Sequence, residues 1–263
     1  MDMLFDPLFY SPWCTGLFLS ITLPLLGIYL RLRNEWLAAL GLAQMSAAAG
    51  LIGYGLGIPL FVMGPVGGIT MAFIKHFSAS DNTGYALMIL AGWAITFLLA
   101  ANTSLGESIS QALIDGQIYF VQSTQAVATA TLMFFSLLLL RQLAPHLLRA
   151  ELFPHYEKLN KENTYRWHLG FDLLVAIAMG IATASVGLMT AFAMVFIPAW
   201  VAFKISASWK KAHWIALSFN LAAFIIGFTL AILADQPYGP TQVACHLILA
   251  ILVLLAAKLL AKN

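Results

Sequence analysis

The chain has 263 residues, of which 61% are hydrophobic and 9% are charged, and its formal net charge is +2. Ordinary soluble domains carry about 25% charged residues, so this composition excludes a water-soluble globular protein. The small net charge, with no basic cluster interleaved with aromatic residues, excludes a nucleic-acid-binding protein. Cys14 and Cys245 are too few for a disulfide framework or a cysteine-based metal site.

The apolar segments are long enough to cross a membrane as helices. About 20 apolar residues span the roughly 30 Å of hydrocarbon in a bilayer. Runs such as 247–260 are apolar on every face, unlike the alternating strands of a transmembrane barrel. The sequence therefore predicts an all-α polytopic membrane helix bundle, a single domain over residues 1–263 with about nine transmembrane helices.

Some of the predicted spans are short or broken, which is typical where a transport path is built. The third span, 60–73, is short and is interrupted by three glycines and Pro65. Residues 169–203 are predicted to form two short helices that turn near 185–187, and residues 105–116 an outer loop or interfacial helix. The other predicted spans are 13–30, 36–56, 83–101, 117–140, 213–233 and 241–257.

The basic residues indicate the orientation of the chain. Every Lys and Arg falls in one of five groups, at 31–33, 75, 141–166, 204–211 and 258–262. Because basic residues next to short spans stay on the cytoplasmic side, we expect the N-terminus outside and the C-terminus in the cytoplasm. The first twelve residues contain no Lys or Arg, so we expect no cleaved signal peptide.

Small residues on the second predicted span favour close helix packing. Ala49, Gly53 and Gly57 follow one another at four-residue spacing and so lie on one helical face. Small residues at this spacing let helix backbones approach closely in a membrane. We expect them to pack within the bundle rather than at a subunit interface.

Polar residues inside predicted spans are the first candidates for function, because polar groups are costly in a bilayer. Gln44 lies in the middle of the second span. Gln117 and Gln122 lie in the outer half of the fifth span, just after Asp115. Together these residues could line a polar path from the outside. Hydrogen bonds between helices, and helix capping by Asp115, explain the same residues without transport, and both interpretations stay open.

Two titratable residues in or near spans have competing explanations. His246 lies about 9 Å below the turn at Pro240 in the last span, where it could be a metal ligand or a proton carrier. It could equally be a packing histidine, because no second ligand stands four residues away beyond Gln242. Asp172 begins a span near the cytoplasmic face, where solvent or the helix dipole would explain it.

The sequence contains no signature of an enzyme. There is no phosphate-binding GxxxxGK[ST] loop, no HExxH motif and no Gly-x-Ser-x-Gly elbow. We therefore expect no catalytic residue and no cofactor bound by this chain. If the chain moves a solute actively, the energy comes from a partner chain or from an ion gradient.

Four stretches carry a family resemblance. They are LAQMSAAAGLIGYGLGIP (42–59), GQIYFVQ (116–122), VGLMTAFAMVFIPAWVA (186–202) and ADQPYGPTQVAC (234–245). In this order they resemble the LAHA segment, the LFGDIL-x-V stretch, the VGALL-x-ALLIIPAA segment and the DxPxGP turn of one family. These motifs are typical of the permease subunits of ATP-binding-cassette (ABC) importers for zinc, manganese and iron(II), and the resemblance covers most of the chain.

This resemblance implies a set of partners in a bacterial inner membrane. They are a second permease subunit (an identical copy or a paralogue), cytoplasmic ABC ATPase subunits and an external solute-binding protein. The ATPases of such an importer push on a short cytoplasmic helix of the permease. The polar stretch 141–168 offers residues 150–161 for this role, although a solvated loop stays open. The residues expected to contact the ATPase are Glu151, Phe153, Tyr156 and Glu157.

The sequence departs from the family at the positions that suit a metal. The second span of the family typically carries an Asp and a His four residues apart, which together suit a divalent cation. The matching residues here are Leu40 and Gln44, and Gln117 replaces a further acid. Metal ligands are therefore unknown, and a metal chelate or another small polar solute remains an alternative cargo. A stand-alone secondary transporter, which would need intramembrane carboxylates, and a non-transporting scaffold also stay open.

Overall fold

The computed structural model describes residues 7–78, 82–103, 113, 116, 118–153 and 165–260. Within these residues the chain forms nine α-helices and two short 3-10 helices, Pro7–Phe9 and Ile118–Phe120, and no strand. The α-helices are α1 (Tyr10–Leu32), α2 (Trp36–Gly55), α3 (Leu60–Ser78), α4 (Asn82–Asn102), α5 (Ser123–Leu152), α6 (Tyr165–Val186), α7 (Leu188–Ile205), α8 (Trp209–Leu233) and α9 (Tyr238–Leu260).

The helices confirm the predicted all-α polytopic bundle. Eight of the described helices are long and apolar enough to cross a membrane, and the apolar part of α3, Leu60–Lys75, is shorter. The predicted break between the sixth and seventh spans is also present. Gly187 separates α6 from α7 with a φ of 88°, a conformation that glycine adopts without steric cost.

The fifth helix differs most from the prediction, since α5 begins at Ser123 and continues to Leu152 rather than running from 117 to 140. A capping box between Gln122 and Gln125 sets its start. Its polar second half still buries one face, because Leu143 and Leu147 are buried and Leu143 lies against α6. The first part of the predicted loop 141–168 is therefore helical.

Close backbone contacts hold α2 against α3. Gly67 of α3 lies against Ala49, and Gly53 lies against Met63, with no room for a Cβ at either glycine. Gly57 lies beyond the end of α2 in a turn, with a φ of 75°. Ala49 and Gly53 thus pack within the bundle, as predicted, whereas Gly57 lies outside the helix and makes no such contact.

The helix ends that carry Lys and Arg lie together, and we call this the basic end of the bundle. His146 of α5 stacks on Trp167 of α6 with ring centroids 3.8 Å apart. Tyr29 of α1 contacts Trp209 of α8 at 5.5 Å. At the opposite end, Gly116 lies against the backbone of Val186 beside the turn between α6 and α7. Successive helices therefore run in alternating directions between the two ends.

Candidate functional site

The predicted path residues on α2 lie beside α4. Gln44 is 8% exposed, and Leu40 is half-buried one turn closer to the basic end. Gly92 of α4 lies against the backbone of Gln44, since a Cβ built on Gly92 would be 2.7 Å from the carbonyl carbon of Gln44. The position of Gln44 is therefore tied to the close approach of α2 and α4.

The predicted path residues before α5 lie at the opposite end of the bundle. Gln122 is exposed and caps α5, and its backbone N–H donates to Oε1 of Gln125 at 3.2 Å. This contact gives Gln122 a role in starting the helix. Asp115 and Gln117 lie outside the described residues, so their place in a path stays a prediction.

His246 lies in a fully buried polar network that joins α9, α8 and α1. Its Nε2 is 2.7 Å from Oδ1 of Asn220, and its Nδ1 is 3.2 Å from the side-chain nitrogen of Gln242. Asn220 donates from Nδ2 to the backbone carbonyl oxygen of Ser20 at 2.9 Å. That orients the Asn220 amide with Oδ1 toward Nε2 of His246, while Nδ1 of His246 lies 2.8 Å from the backbone carbonyl oxygen of Gln242.

The carbonyl of Ser20 needs this bond because of Pro24. Pro24 lies four residues further along α1 and has no N–H to donate to Ser20 within the helix. The side chain of Asn220 supplies the missing donor from another helix, which removes the cost of an unpaired buried carbonyl. The network thus supplies the hydrogen bond that Pro24 cannot donate within α1. This structural role supports the interpretation of His246 as a packing histidine.

The structure does not bring Leu40 and Gln44 together with His246. The main neighbours of α2 are α3, α4 and α6, whereas α9 packs mainly against α7 and α8. Among the described residues there is also no group of three or more His, Cys, Asp or Glu side chains that could hold a metal ion. The described side chains therefore offer a neutral surface around Gln44 rather than a metal centre.

The predicted ATPase-contact residues fall at the end of α5. Glu151 and Phe153 are exposed there, and residues 150–152 belong to α5 itself. Tyr156 and Glu157 lie outside the described residues, so a separate helix over the rest of 150–161 stays a prediction. An apolar groove of about 580 Å³ adjoins this end of α5, lined by Pro145, Leu148, Arg149, Leu152 and Phe153.

A buried group of four charged residues lies at the basic end, and we call it the charge cluster. Arg33 donates from Nη1 to Oδ1 of Asp172 at 2.8 Å, and its Nη2 lies 2.8 Å from Oε2 of Glu35. Lys75 lies 2.7 Å from Oδ2 of Asp172 and 3.2 Å from Oε2 of Glu35. Two positive and two negative charges thus neutralise each other between the ends of α1 and α3 and the beginnings of α2 and α6.

Asp172 corrects an expectation from the sequence. Solvent or the helix dipole was expected to explain it, but only 4% of the residue is exposed and both carboxylate oxygens are in ion pairs. The sequence does contain a sign of this cluster. Glu35 and Asp172 are acidic residues at the ends of apolar spans where basic residues also lie. Their partners could not be assigned without the order of the helices in space.

Two neighbouring carboxylates keep the Arg33 guanidinium charged. Burial acts to lower the pKa of the Arg33 guanidinium, but the carboxylates of Asp172 and Glu35 outweigh it and hold that pKa above its usual value. Aromatic rings complete the site, since the guanidinium of Arg33 lies 5.3 Å from the ring centroid of Phe171 and Nζ of Lys75 lies 5.4 Å from that of Tyr85.

The described part of the chain has eight helices that are long and apolar enough to cross a membrane, a break at Gly187 between α6 and α7, and a charged end. These features define a polytopic helical membrane protein. A family model described as the ABC 3 transport family matches residues 6–257. The chain therefore belongs to the ABC 3 transport family, which confirms the resemblance drawn from the four sequence motifs.

Two solved structures share the fold. The chain is similar to a chain of PsaBC from Streptococcus pneumoniae in complex with Fab, with 18% identity over 96% of this chain and 93% of that chain and a TM-score of 0.84. It is also similar to an inward-facing structure assigned to the metal-chelate type of ABC transporter, with 16% identity over 96% of this chain and 85% of that chain and a TM-score of 0.68. No curated protein matches the sequence.

Proposed function

We propose that this chain is the membrane-spanning permease subunit of an ABC importer that takes up a divalent transition metal, namely zinc, manganese or iron. The observation that carries the proposal is the match of the ABC 3 transport family to residues 6–257. The fold shared with the PsaBC chain at a TM-score of 0.84 supports it. The proposed partners are a cytoplasmic ATPase subunit, a second permease subunit (a copy of this chain or a paralogue) and an external solute-binding protein.

The proposed orientation places the basic end in the cytoplasm of a bacterial cell, with the chain in the inner membrane, the N-terminus outside and the C-terminus inside. The gathering of the basic residues at one end of the bundle supports this orientation. The exposed end of α5, with Glu151 and Phe153, then faces the ATPase. Tyr156 and Glu157, which lie outside the described residues, are proposed to contact the same partner.

The proposed path runs along α2 at the interface between two permease subunits and opens alternately to each side. Leu40 and Gln44 provide an apolar side chain and a neutral amide where the related importers are expected to use an acid and a histidine. Neutral side chains hold a cation weakly, and weak binding suits transport. A solute that bound both orientations too tightly would never leave the path. Selectivity then comes from the solute-binding protein that delivers the metal.

A metal chelate or another small polar solute is the second candidate cargo, and Leu40 and Gln44 favour it because neither side chain is a strong metal ligand. A secondary transporter working alone has less support. Its coupling would need a free intramembrane carboxylate, whereas Asp172, the buried acid in the described spans, is paired with Arg33 and Lys75. A scaffold without transport would need no polar residue at Gln44.

The test of the proposed function is the metal content of the native host. Zinc, manganese and iron are measured by elemental mass spectrometry with and without this chain, under metal starvation, and again after the chain is restored. We expect a selective loss of one metal that restoration reverses. Unchanged contents of all three metals would contradict metal import and would favour the chelate, the polar solute or a role without transport.

A further inference from the structure

The charge cluster connects two groups of helices. In the first group, α2 packs extensively against α3, α4 and α6, and α3 packs extensively against α6. In the second group, α1 packs against α5, α7 and α8, and α9 packs against α7 and α8. Although α1 and α2 follow each other in the chain, they have little contact with each other. The two groups meet where α6 packs against α5 and α7 and where α2 packs against α7.

The four charged residues are divided unequally between these groups. Glu35 lies at the start of α2, Lys75 and Asp172 lie in α3 and α6, and Lys75 pairs with both acids within this first group. Arg33 follows the last residue of α1, so its bond to Asp172 crosses from the second group to the first. Asn34, with a φ of 54°, forms the turn between Arg33 and Glu35.

This division gives the two cations different roles. Lys75 contacts both carboxylates and stays with them when Arg33 moves away, and its single charge then balances only one of the two. Arg33 contacts Asp172 only while the end of α1 lies beside α6. Its side chain is 4% exposed and that of Asp172 is 6% exposed, so water screens the bond very little. The bond is therefore sensitive to the relative position of the two groups.

Buried ion pairs are poor devices for stability alone, because well-packed apolar residues often replace them without loss. Their better-attested use is to favour one specific arrangement of a structure over another. A transporter with alternating access needs such a contact, because its packed helices move between discrete arrangements. The Arg33–Asp172 bond lies at the end of the bundle that the proposed orientation assigns to the ATPase.

We propose that the Arg33–Asp172 ion pair is a latch of the transport cycle, closed in one orientation of the permease and open in the other. Lys75 is the fixed counter-charge that remains with Glu35 and Asp172 throughout. The inference rests on the proposed function as an ABC permease. It adds Arg33 and Asp172 as residues that control the movement of α1 against α2, α3 and α6.

The test compares two double-mutant cycles in the purified complex of this chain with its ATPase partner. Arg33→Gln and Asp172→Asn are made singly and together, and Tm is measured without nucleotide and with ATP bound to a hydrolysis-deficient ATPase. We expect a coupling of about 4 °C between the two substitutions in one state and almost none in the other. The matched cycle of Lys75→Gln with Asp172→Asn should give the same coupling in both states.

Conservative variants keep the proposal testable if a neutral variant fails to fold. Arg33→Lys retains the positive charge but cannot bond Asp172 and Glu35 through two separate nitrogen atoms. The closed latch is therefore weakened. We expect it to raise ATP hydrolysis in the absence of any solute severalfold, because the cycle then starts without a loaded binding protein. Lys204→Arg, at an exposed position near the end of α7, is the control and should leave this idle hydrolysis unchanged.

The outcomes separate the latch from the proposed function. Equal Arg33–Asp172 coupling in both nucleotide states would overturn the latch, as would unchanged idle hydrolysis in Arg33→Lys. In either case a wild-type complex that still hydrolyses ATP leaves the permease function intact. A wild-type chain that neither binds an ATPase nor supports ATP hydrolysis would overturn the proposed function and the latch with it.

Discussion

Gly92 of α4 lies against the backbone of Gln44 of α2, so that a Cβ at Gly92 would stand 2.7 Å from the carbonyl carbon and 2.8 Å from Cβ of Gln44. Real Cβ atoms do not approach other atoms so closely, and the atoms in the way include helix backbone. The glycine therefore sets the distance between the two helices. The proposed path residue Gln44 keeps its position only while position 92 has no side chain.

Replacing Gly92 by alanine should separate α2 from α4. Overpacking of this kind costs about 1–3 kcal/mol, partly offset by about 1 kcal/mol from the better helix propensity of alanine. We expect a lower Tm in detergent and lower uptake per folded molecule. Gly55→Ala is the matched control, because no atom lies within 4 Å of its Cβ position. Equal Tm values for the two variants would contradict the close approach.

A polar path through Gln44 and Gln117 predicts the effect of removing both amides. The double variant Gln44→Leu with Gln117→Leu should be expressed normally but take up less solute, because the path loses its polar groups. Uptake is measured in cells under metal starvation beside the amount of chain in the membrane. Gln142→Leu, at an exposed position of α5, is the control and should transport normally. Normal uptake by the double variant would count against a path through these residues.

His246 should matter for stability more than for transport. His246→Leu leaves Oδ1 of buried Asn220 without its hydrogen-bond partner, and an unpaired buried acceptor costs about 1–3 kcal/mol. We expect a lower Tm with unchanged uptake per folded molecule. A variant with normal Tm and abolished uptake would instead show that His246 acts in the path.

The bond from Asn220 to Ser20 can be tested through Pro24. Asn220→Leu should lower the stability by about 1–3 kcal/mol, because the carbonyl of Ser20 loses its donor. Pro24→Ala supplies a backbone N–H within α1, so the same substitution should cost less in that background. Thermal unfolding of the two single variants and the double variant measures the difference. If Asn220→Leu lowers the stability equally in both backgrounds, Asn220 does not compensate for the N–H that Pro24 lacks.

Contact with the ATPase predicts an effect of charge at the end of α5 and beyond. Reversing Glu151 and Glu157 to lysine should abolish the stimulation of ATP hydrolysis in the reconstituted complex, because the charge at the proposed contact is then inverted. The control is Glu162→Lys, the same change just beyond residues 150–161. Unchanged stimulation in the double reversal would refute this assignment, as would an equal loss in the control.

Much of the fold could be predicted from the sequence because the bilayer imposes a strong local rule. A span must be long, apolar and helical, since every backbone polar group needs a partner inside the segment. This rule found the helices and the break near Gly187. It failed at α5, where apolarity ends near Leu140 but the helix continues with one buried face to Leu152. A helix end depends on backbone hydrogen bonds rather than on hydropathy.

The sequence by itself determined a helical membrane protein of the ABC permease type, with its basic residues at one end. Only the tertiary structure decided which polar groups meet. Arg33 and Asp172 are 139 residues apart in the chain, and Asn220 and Ser20 are 200 apart. Such pairs depend on which helices are neighbours in the bundle, and helices that are all apolar look alike in a local pattern. Whole helices that are distant in the chain pack against each other, and this packing determines which partner each buried charge and amide has.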